Sequence, residues 1–203
     1  FDKAKGVIGI EENKPEAIRI LSELVKDEPR IQVCTLKTKY PQGGERFLIY
    51  AVTGGREINS TMLPADAGCI VDNVDTLVAI YNAVKLGKPL MHRIVTITGN
   101  AVKDPANFSV CIGTNFSELV EMAGGFTEQP KKIISGGPMM GFAMFNLDIP
   151  TTKTTSALLC LTEDEVAQYA PGPCINCGRC VEICPERIVP SRLADHAEYH
   201  RED

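Results

Sequence analysis

The sequence predicts an α/β protein of two modules followed by a cysteine-rich tail, and three observations carry that prediction. Segments 13–28 and 72–89 place apolar residues at helical spacing between cap and stop residues. From Met91 the texture changes to short β runs separated by turn-rich stretches. Four cysteines then crowd between Cys174 and Cys184.

NKPEAIRILSELVKDE reads as a helix with Asn13 as cap, Glu16 three residues on and Pro15 in the first turn. Ala17, Ile20 or Leu21, Leu24 and Val25 form its apolar face, and RIQVCTL follows as a strand. In YPQGGERFLIYAVTGG two glycines precede an apolar helical stretch. Gly43 and Gly44 alone read more readily as a loop turn; the alternative is a helix start whose free N–H groups face an anion. DNVDTLVAIYNAVKLGKP is a well-bounded helix, capped by Asp72 or Asn73 and stopped by Gly87 and Pro89. Its stripe of Val74, Leu77, Tyr81 and Val84 is expected to be core.

HRIVTITG, FSVCIG, the short helix SELVEMAGG and the strand KKIISGG then follow, a β-β-α-β order that suits a β-grasp. Met139, Met140 and Met144 in GGPMMGFAMFNLDIP read as flexible packing residues rather than a cofactor box. TTSALLCL is β-rich and TEDEVAQYA helical, leading into the cysteines.

Composition removes several classes of function. Lys plus Arg number 21 against 26 Asp plus Glu, without a basic stripe or a tryptophan, so a nucleic-acid footprint is not expected. No apolar run approaches the roughly twenty residues that span a bilayer, and FDKAKGVIGI lacks the order of a signal peptide. The chain opens on Phe1 rather than methionine, as an excised segment would. Four cysteines stand singly at Cys34, Cys69, Cys111 and Cys160, which argues for a reducing compartment over a disulfide framework. Each of these four sits in apolar sequence and is expected to be a small buried hydrophobe. His92, His196 and His200 are read as structural or solvated side chains.

Cys174-x2-Cys177-x2-Cys180-x3-Cys184-Pro185 has the spacing of a bacterial ferredoxin run. Three thiolates two residues apart on a tight turn can hold three corners of a cubane, and Ile175, Val181, Ile183 and Ile188 supply a dry wall. Zinc is the competitor, but it needs neither the third step nor the proline. In two-cluster ferredoxins the fourth cysteine of such a run serves the other cluster. The sequence holds no second run, so the parent protein is expected to continue into one. Residues 174–203 are expected to be poorly ordered, or paired with a neighbouring chain, with no intact cluster.

GIEENKPEAI, KYPQGGERFLIYAVTG, LPADAGCIVDNVDTL, RIVTITGNAVKDPANF, ISGGPMMG and CINCGRCVEICP together resemble one family along the whole chain. It is the C-subunit family of Rnf electron-transport complexes, whose middle portion is similar to the flavin- and NADH-binding subunit of respiratory complex I. The resemblance implies a flavin-domain α/β segment over residues 1–90 and a β-grasp of the soluble-ligand-binding type over 91–150. Residues 151–203 would hold a linker and the first half of a two-cluster, bacterial-type ferredoxin domain.

The same resemblance carries a flavin- or nicotinamide-site role onto Gly43 and Glu45, with Gly44 standing where the complex I relative has the first acid of a pair. It points to Asn73 and Thr76 as flavin-lining, with Asp72 in place of the relative's first asparagine. Cys174, Cys177, Cys180 and Cys184 would be the metal ligands. FMN and two [4Fe–4S] clusters are expected in the parent protein, with NAD(H) as substrate. The family's phosphate-binding glycine loop would lie before Phe1, so this stretch by itself is expected to hold neither cofactor intact and to be inactive.

The function implied is that of an oxidoreductase subunit relaying electrons between NAD(H), flavin and clusters in a ferredoxin:NAD oxidoreductase complex coupled to ion translocation. Its partners would be the other Rnf subunits and, indirectly, ferredoxin-type donors, on the cytoplasmic side of the membrane and without a span of its own. A flavin suits that place because it takes electrons in pairs from nicotinamide and passes them singly to clusters. The alternatives are a soluble flavin and iron–sulfur reductase such as a cobalamin reductase, or a non-catalytic interaction module.

Overall fold

The computed structural model of the protein describes residues 3–163, 172–184 and 186–199. The chain folds as two compact units, Phe1–Leu90 and Met91–Asp203.

The first unit begins with β1 (Gly6–Glu11), α1 (Pro15–Val25) and β2 (Ile31–Leu36). The two strands pair in parallel, from Gly6 opposite Ile31 to Glu11 opposite Leu36, with α1 as the crossover that parallel strands require. α1 packs on β2 through half-buried Ala17, Ile18, Leu21 and Val25. Of the alternatives Ile20 and Leu21 it is Leu21 that faces the strand and Ile20 that is exposed, and Leu24, expected on that face, is exposed instead. The expected cap also differs. Lys14 occupies the N-cap without a side-chain cap bond, and Asn13 Oδ1 accepts from Lys14 Nζ at 2.7 Å. Proline at the first helical position makes a side-chain cap less necessary, since one orphan N–H is already gone.

α2 (Glu45–Thr53) lies against β1 and against a 3-10 turn at Pro64–Ala67. Ile49 is its buried residue, 1% exposed. Leu48 closes on β1 at Gly9, where a side chain would meet Leu48 Cδ1 at 2.9 Å and Leu36 Cδ1 at 3.0 Å. A glycine at that strand position is what lets the helix settle. The 3-10 turn is held by Arg56, whose Nη1 donates to the Ala67 carbonyl.

α3 (Val74–Leu86) runs as expected between Asn73 and Gly87. Its stripe is not core: Val74, Leu77, Tyr81 and Val84 are all exposed. Among the described residues no element packs extensively on α3, which leaves that side of the helix uncovered.

The second unit holds β3 (His92–Thr98), β4 (Ala106–Cys111), α4 (Phe116–Met122), β5 (Lys132–Ser135), β6 (Phe142–Met144) and β7 (Ala157–Leu161). The sheet order is β4-β3-β7-β5-β6, with only the β3–β7 pair parallel. One face grips α4, whose Phe116, Leu119 and Val120 pack with Val95, Ile97, Val110 and Leu158. A capping bond from Asn115 N–H to Glu118 Oε1, 3.2 Å, starts α4. The β-β-α-β order is present, and the sheet extends beyond residue 150. β7, from the stretch expected as linker, is its central strand.

Met144 packs against this core, while Met139 and Met140 are exposed. In the tail, α5 (Arg179–Ile183) and α6 (Pro190–Glu198) are helical where poor order is expected. The expected helix TEDEVAQYA lies mostly outside the described residues, as does His200.

Two measurements check this packing. Gly99, at φ +116°, ends β3 where an added Cβ would collide with the Cys160 carbonyl; Gly113, at φ +101°, has open space around it. Gly113→Ala is expected to cost about 1 kcal/mol from backbone strain and Gly99→Ala more than about 3 kcal/mol in urea denaturation, because only Gly99 adds a backbone collision. Burial pushes the Cys160 thiol up to about 11 from 9.0. The unfolded thiol therefore ionises first as pH rises, and the stabilisation is present below pH 9 and lost towards pH 11. The melting-temperature gap between the wild type and Cys160→Ala should shrink across that window. A constant gap would show that Cys160 titrates normally.

Candidate functional site

The residues expected to face the flavin sit at two helix starts of the first unit. Gly44 is the N-cap of α2, extended at φ −63° and ψ 135°, and its N–H donates to the Pro41 carbonyl at 2.7 Å. The first-turn N–H groups of α2, from Glu45 onward, have no acceptor within their own helix. A Cβ at Gly43 would meet nothing within 4 Å, so the approach to this end of α2 is open. Glu45 is exposed beside it. That arrangement can receive an anionic group at a helix N-terminus.

At the second start, Asn73 is the N-cap of α3, and its Oδ1 accepts from the Asp75 N–H at 2.9 Å. The cap consumes the oxygen and leaves the amide nitrogen as a donor. Asp72 and Asn73 are exposed, and Thr76 is half-buried one turn into the helix. These donors suit a planar polar cofactor in chemistry. α2 is seated on β1 and the 3-10 turn, whereas α3 is not among the elements packed extensively on another.

The cysteine run is exposed at Cys174, Cys177 and Cys180 and half-buried at Cys184, and all eight cysteines of the chain are free thiols. Asn176, at φ 55°, and Gly178, at φ 75°, take left-handed conformations that turn the loop into α5. The Asn176 N–H donates to Cys174 Sγ at 3.4 Å, the kind of backbone bond that stabilises a thiolate ligand. The donor set suits iron. Among the described residues, however, no three His, Cys, Asp or Glu side chains are gathered as a metal site.

A feature not expected from sequence is a cleft of about 590 Å3 in the second unit. Its walls come from the glycine loop between β5 and β6, including Gly136 and Met140, from Phe142 at the start of β6, and from Thr152 to Ser156 before β7. Gly136 at φ +101° is what bends that loop. The paired glycines of ISGGPMMG were the available signal; the wall from Thr152 to Ser156 depends on β7 joining the sheet and had none. Among the described residues no helix is long and apolar enough to cross a membrane.

Comparison with known proteins assigns residues 1–82 to the Nuo51 FMN-binding domain and residues 94–143 to the SLBB domain. The C-subunit of the proton-translocating ferredoxin:NAD(+) oxidoreductase complex of Clostridium ljungdahlii is 50% identical over 190 residues, covering 94% of this chain and 41% of that protein. Its Na(+)-translocating counterpart from Acetobacterium woodii is 45% identical over 194 residues, covering 96% of this chain and 44% of that protein. The C-subunit of the ion-translocating oxidoreductase complex of Pseudomonas aeruginosa is 43% identical over 188 residues, covering 92% and 24% respectively. The chain thus spans less than half the length of these relatives. With two domain families in one order and that identity along nearly its whole length, the chain belongs to the C-subunit family of ion-translocating, Rnf-type oxidoreductase complexes.

Proposed function

We propose that this chain is part of an electron-transfer subunit relaying electrons between NAD(H), FMN and [4Fe–4S] clusters, in a ferredoxin:NAD oxidoreductase complex that couples the transfer to ion translocation. The observation that carries this reading is the order of three parts in one chain: the match to an FMN-binding domain, the match to an SLBB domain, and the Cys174 to Cys184 run. The names of the relatives, each a subunit of such a complex, support the assignment of partners. Its place is peripheral, on the cytoplasmic side of the membrane.

The first unit is the flavin module, the second carries the β-grasp, and the tail that follows β7 begins a ferredoxin-type domain. FMN, when bound, supplies the conversion between hydride transfer and single-electron transfer. Within this chain, the open N-terminus of α2 receives an anionic group beside Gly43 and Gly44, while Glu45 orients the nicotinamide. The Asn73 amide nitrogen and the Thr76 hydroxyl donate to the flavin, with Asp72 at the rim. Cys174, Cys177 and Cys180 hold three corners of one cluster, and Cys184 serves a second.

Two substitutions in the full-length protein, purified without oxygen, check this. Serine caps a helix about as well as asparagine but has no amide nitrogen, so Asn73→Ser should leave the melting temperature nearly unchanged and weaken FMN binding about tenfold, the cost of a lost hydrogen bond to a bound group. Unchanged FMN affinity would remove Asn73 from the site. Cys180→Ala should lower the iron content from about eight to about four per protein molecule, because one cluster of two loses a corner. Iron retained at the wild-type level would overturn the ligand assignment.

A further inference from the structure

The four cysteines outside the ferredoxin-like run are not alike. Cys160 is buried and Cys34 and Cys69 are half-buried, but Cys111 is exposed, contrary to its expected place in the core. It ends β4, an edge strand, directly opposite His92 on β3. The Ile112 N–H donates to the Met91 carbonyl at 2.9 Å, so Met91 and Ile112 form a hydrogen-bonded pair of the ladder. His92 and Cys111 are then the adjacent non-hydrogen-bonded pair, the kind whose side chains approach most closely.

They do approach. Cys111 Sγ lies 3.7 Å from His92 Nδ1 and 3.9 Å from Nε2. The sulfur is nearly equidistant from both nitrogens, so a turn of the exposed imidazole aims either one at it, and the unprotonated nitrogen can then accept the thiol proton. The backbone under the sulfur is fixed: the Cys111 carbonyl accepts from Thr114 N–H at 3.2 Å, Thr114 Oγ1 at 2.9 Å and Thr151 Oγ1 at 3.2 Å. Thr151 is itself 2% exposed, which ties this strand end to the interior. An accessible thiol thus stands beside an imidazole on a pinned backbone, the geometry in which a base can serve a nucleophile.

We propose that Cys111, with His92 as its base, is a thiol-modification site at which a low-molecular-weight disulfide exchanges. His92 takes the thiol proton and the thiolate attacks one sulfur of the small disulfide. A bond forms between Cys111 Sγ and that sulfur while the disulfide's own bond breaks, and the departing thiolate recovers the proton from the imidazolium. Cys111 is oxidised to a mixed disulfide and the departing half is reduced to a thiol, so the exchange needs no further oxidant. The pair lies on the exposed face of β3 and β4 and shares no residue with the flavin or cluster assignments, so it stands or falls apart from them.

The test uses the full-length protein with oxidised glutathione as probe and mass spectrometry that resolves each cysteine. Cys111 is expected to be modified about tenfold faster than Cys34 and Cys69, and His92→Gln to slow Cys111 about tenfold while leaving the other two unchanged. His92→Thr, which suits a strand and carries no base, should slow it equally with the wild-type melting temperature retained. Free imidazole added to either variant should restore part of the rate. Cys111 reacting equally in all three proteins, or no faster than Cys34 in the wild type, would overturn the proposal.

Discussion

The second unit depends on one close passage, that of β7 against the end of β3. Gly99 admits the Cys160 backbone where a side chain would collide with its carbonyl. One residue on, Asn100 Nδ2 donates to Thr162 Oγ1 at 2.7 Å while Thr162 N–H donates to Asn100 Oδ1 at 2.8 Å. This two-way bond between residues far apart in sequence seats β7 between β3 and β5 and completes the sheet. The core follows from it, because Leu158 and Cys160 on β7 supply the side chains that Val95, Ile97 and Leu119 pack against. So does the cleft, one wall of which is the segment leading into β7.

That dependence marks where sequence reading succeeds and where it stops. Local periodicity located α1, α3, α4 and strands β2 to β5, since each is determined by the residues inside it. Sheet order is a long-range property, and nothing in TTSALLCL says that it will lie between β3 and β5, two strands far from it and from each other along the chain. The same distinction explains the caps. Asn73 and Asn13 both precede an apolar helical run, yet only Asn73 holds the N-cap position, extended and with its oxygen turned back to the helix, while Asn13 stands one residue before the cap. At α1 the Pro15 ring shifts the start and Lys14 takes the cap position.

Burial is the second quantity that periodicity leaves open. Val74, Leu77, Tyr81 and Val84 lie on one side of α3, as their spacing requires, and all are exposed. Spacing establishes that a helix has an apolar face; whether anything covers that face is decided by residues outside the helix. Cys111 shows the converse. Apolar neighbours in FSVCIG suggested a buried thiol, but alternation along β4 puts Val110 inward and Cys111 outward. A shift of one residue in register would have exchanged them.

For the cysteine run, spacing and geometry carry different information. The spacing states which thiols can share a cluster, and the left-handed Asn176 and Gly178 show that the loop between them already turns tightly. Convergence of the thiolates is a separate matter, because the free energy that overcomes their mutual repulsion comes from the metal. The spacing of the run is therefore legible in sequence, while among the described residues no metal site is gathered. Asn73 is the opposite case. Its cap is complete without a ligand, so the helix start presents the amide nitrogen in a fixed direction at no further ordering cost.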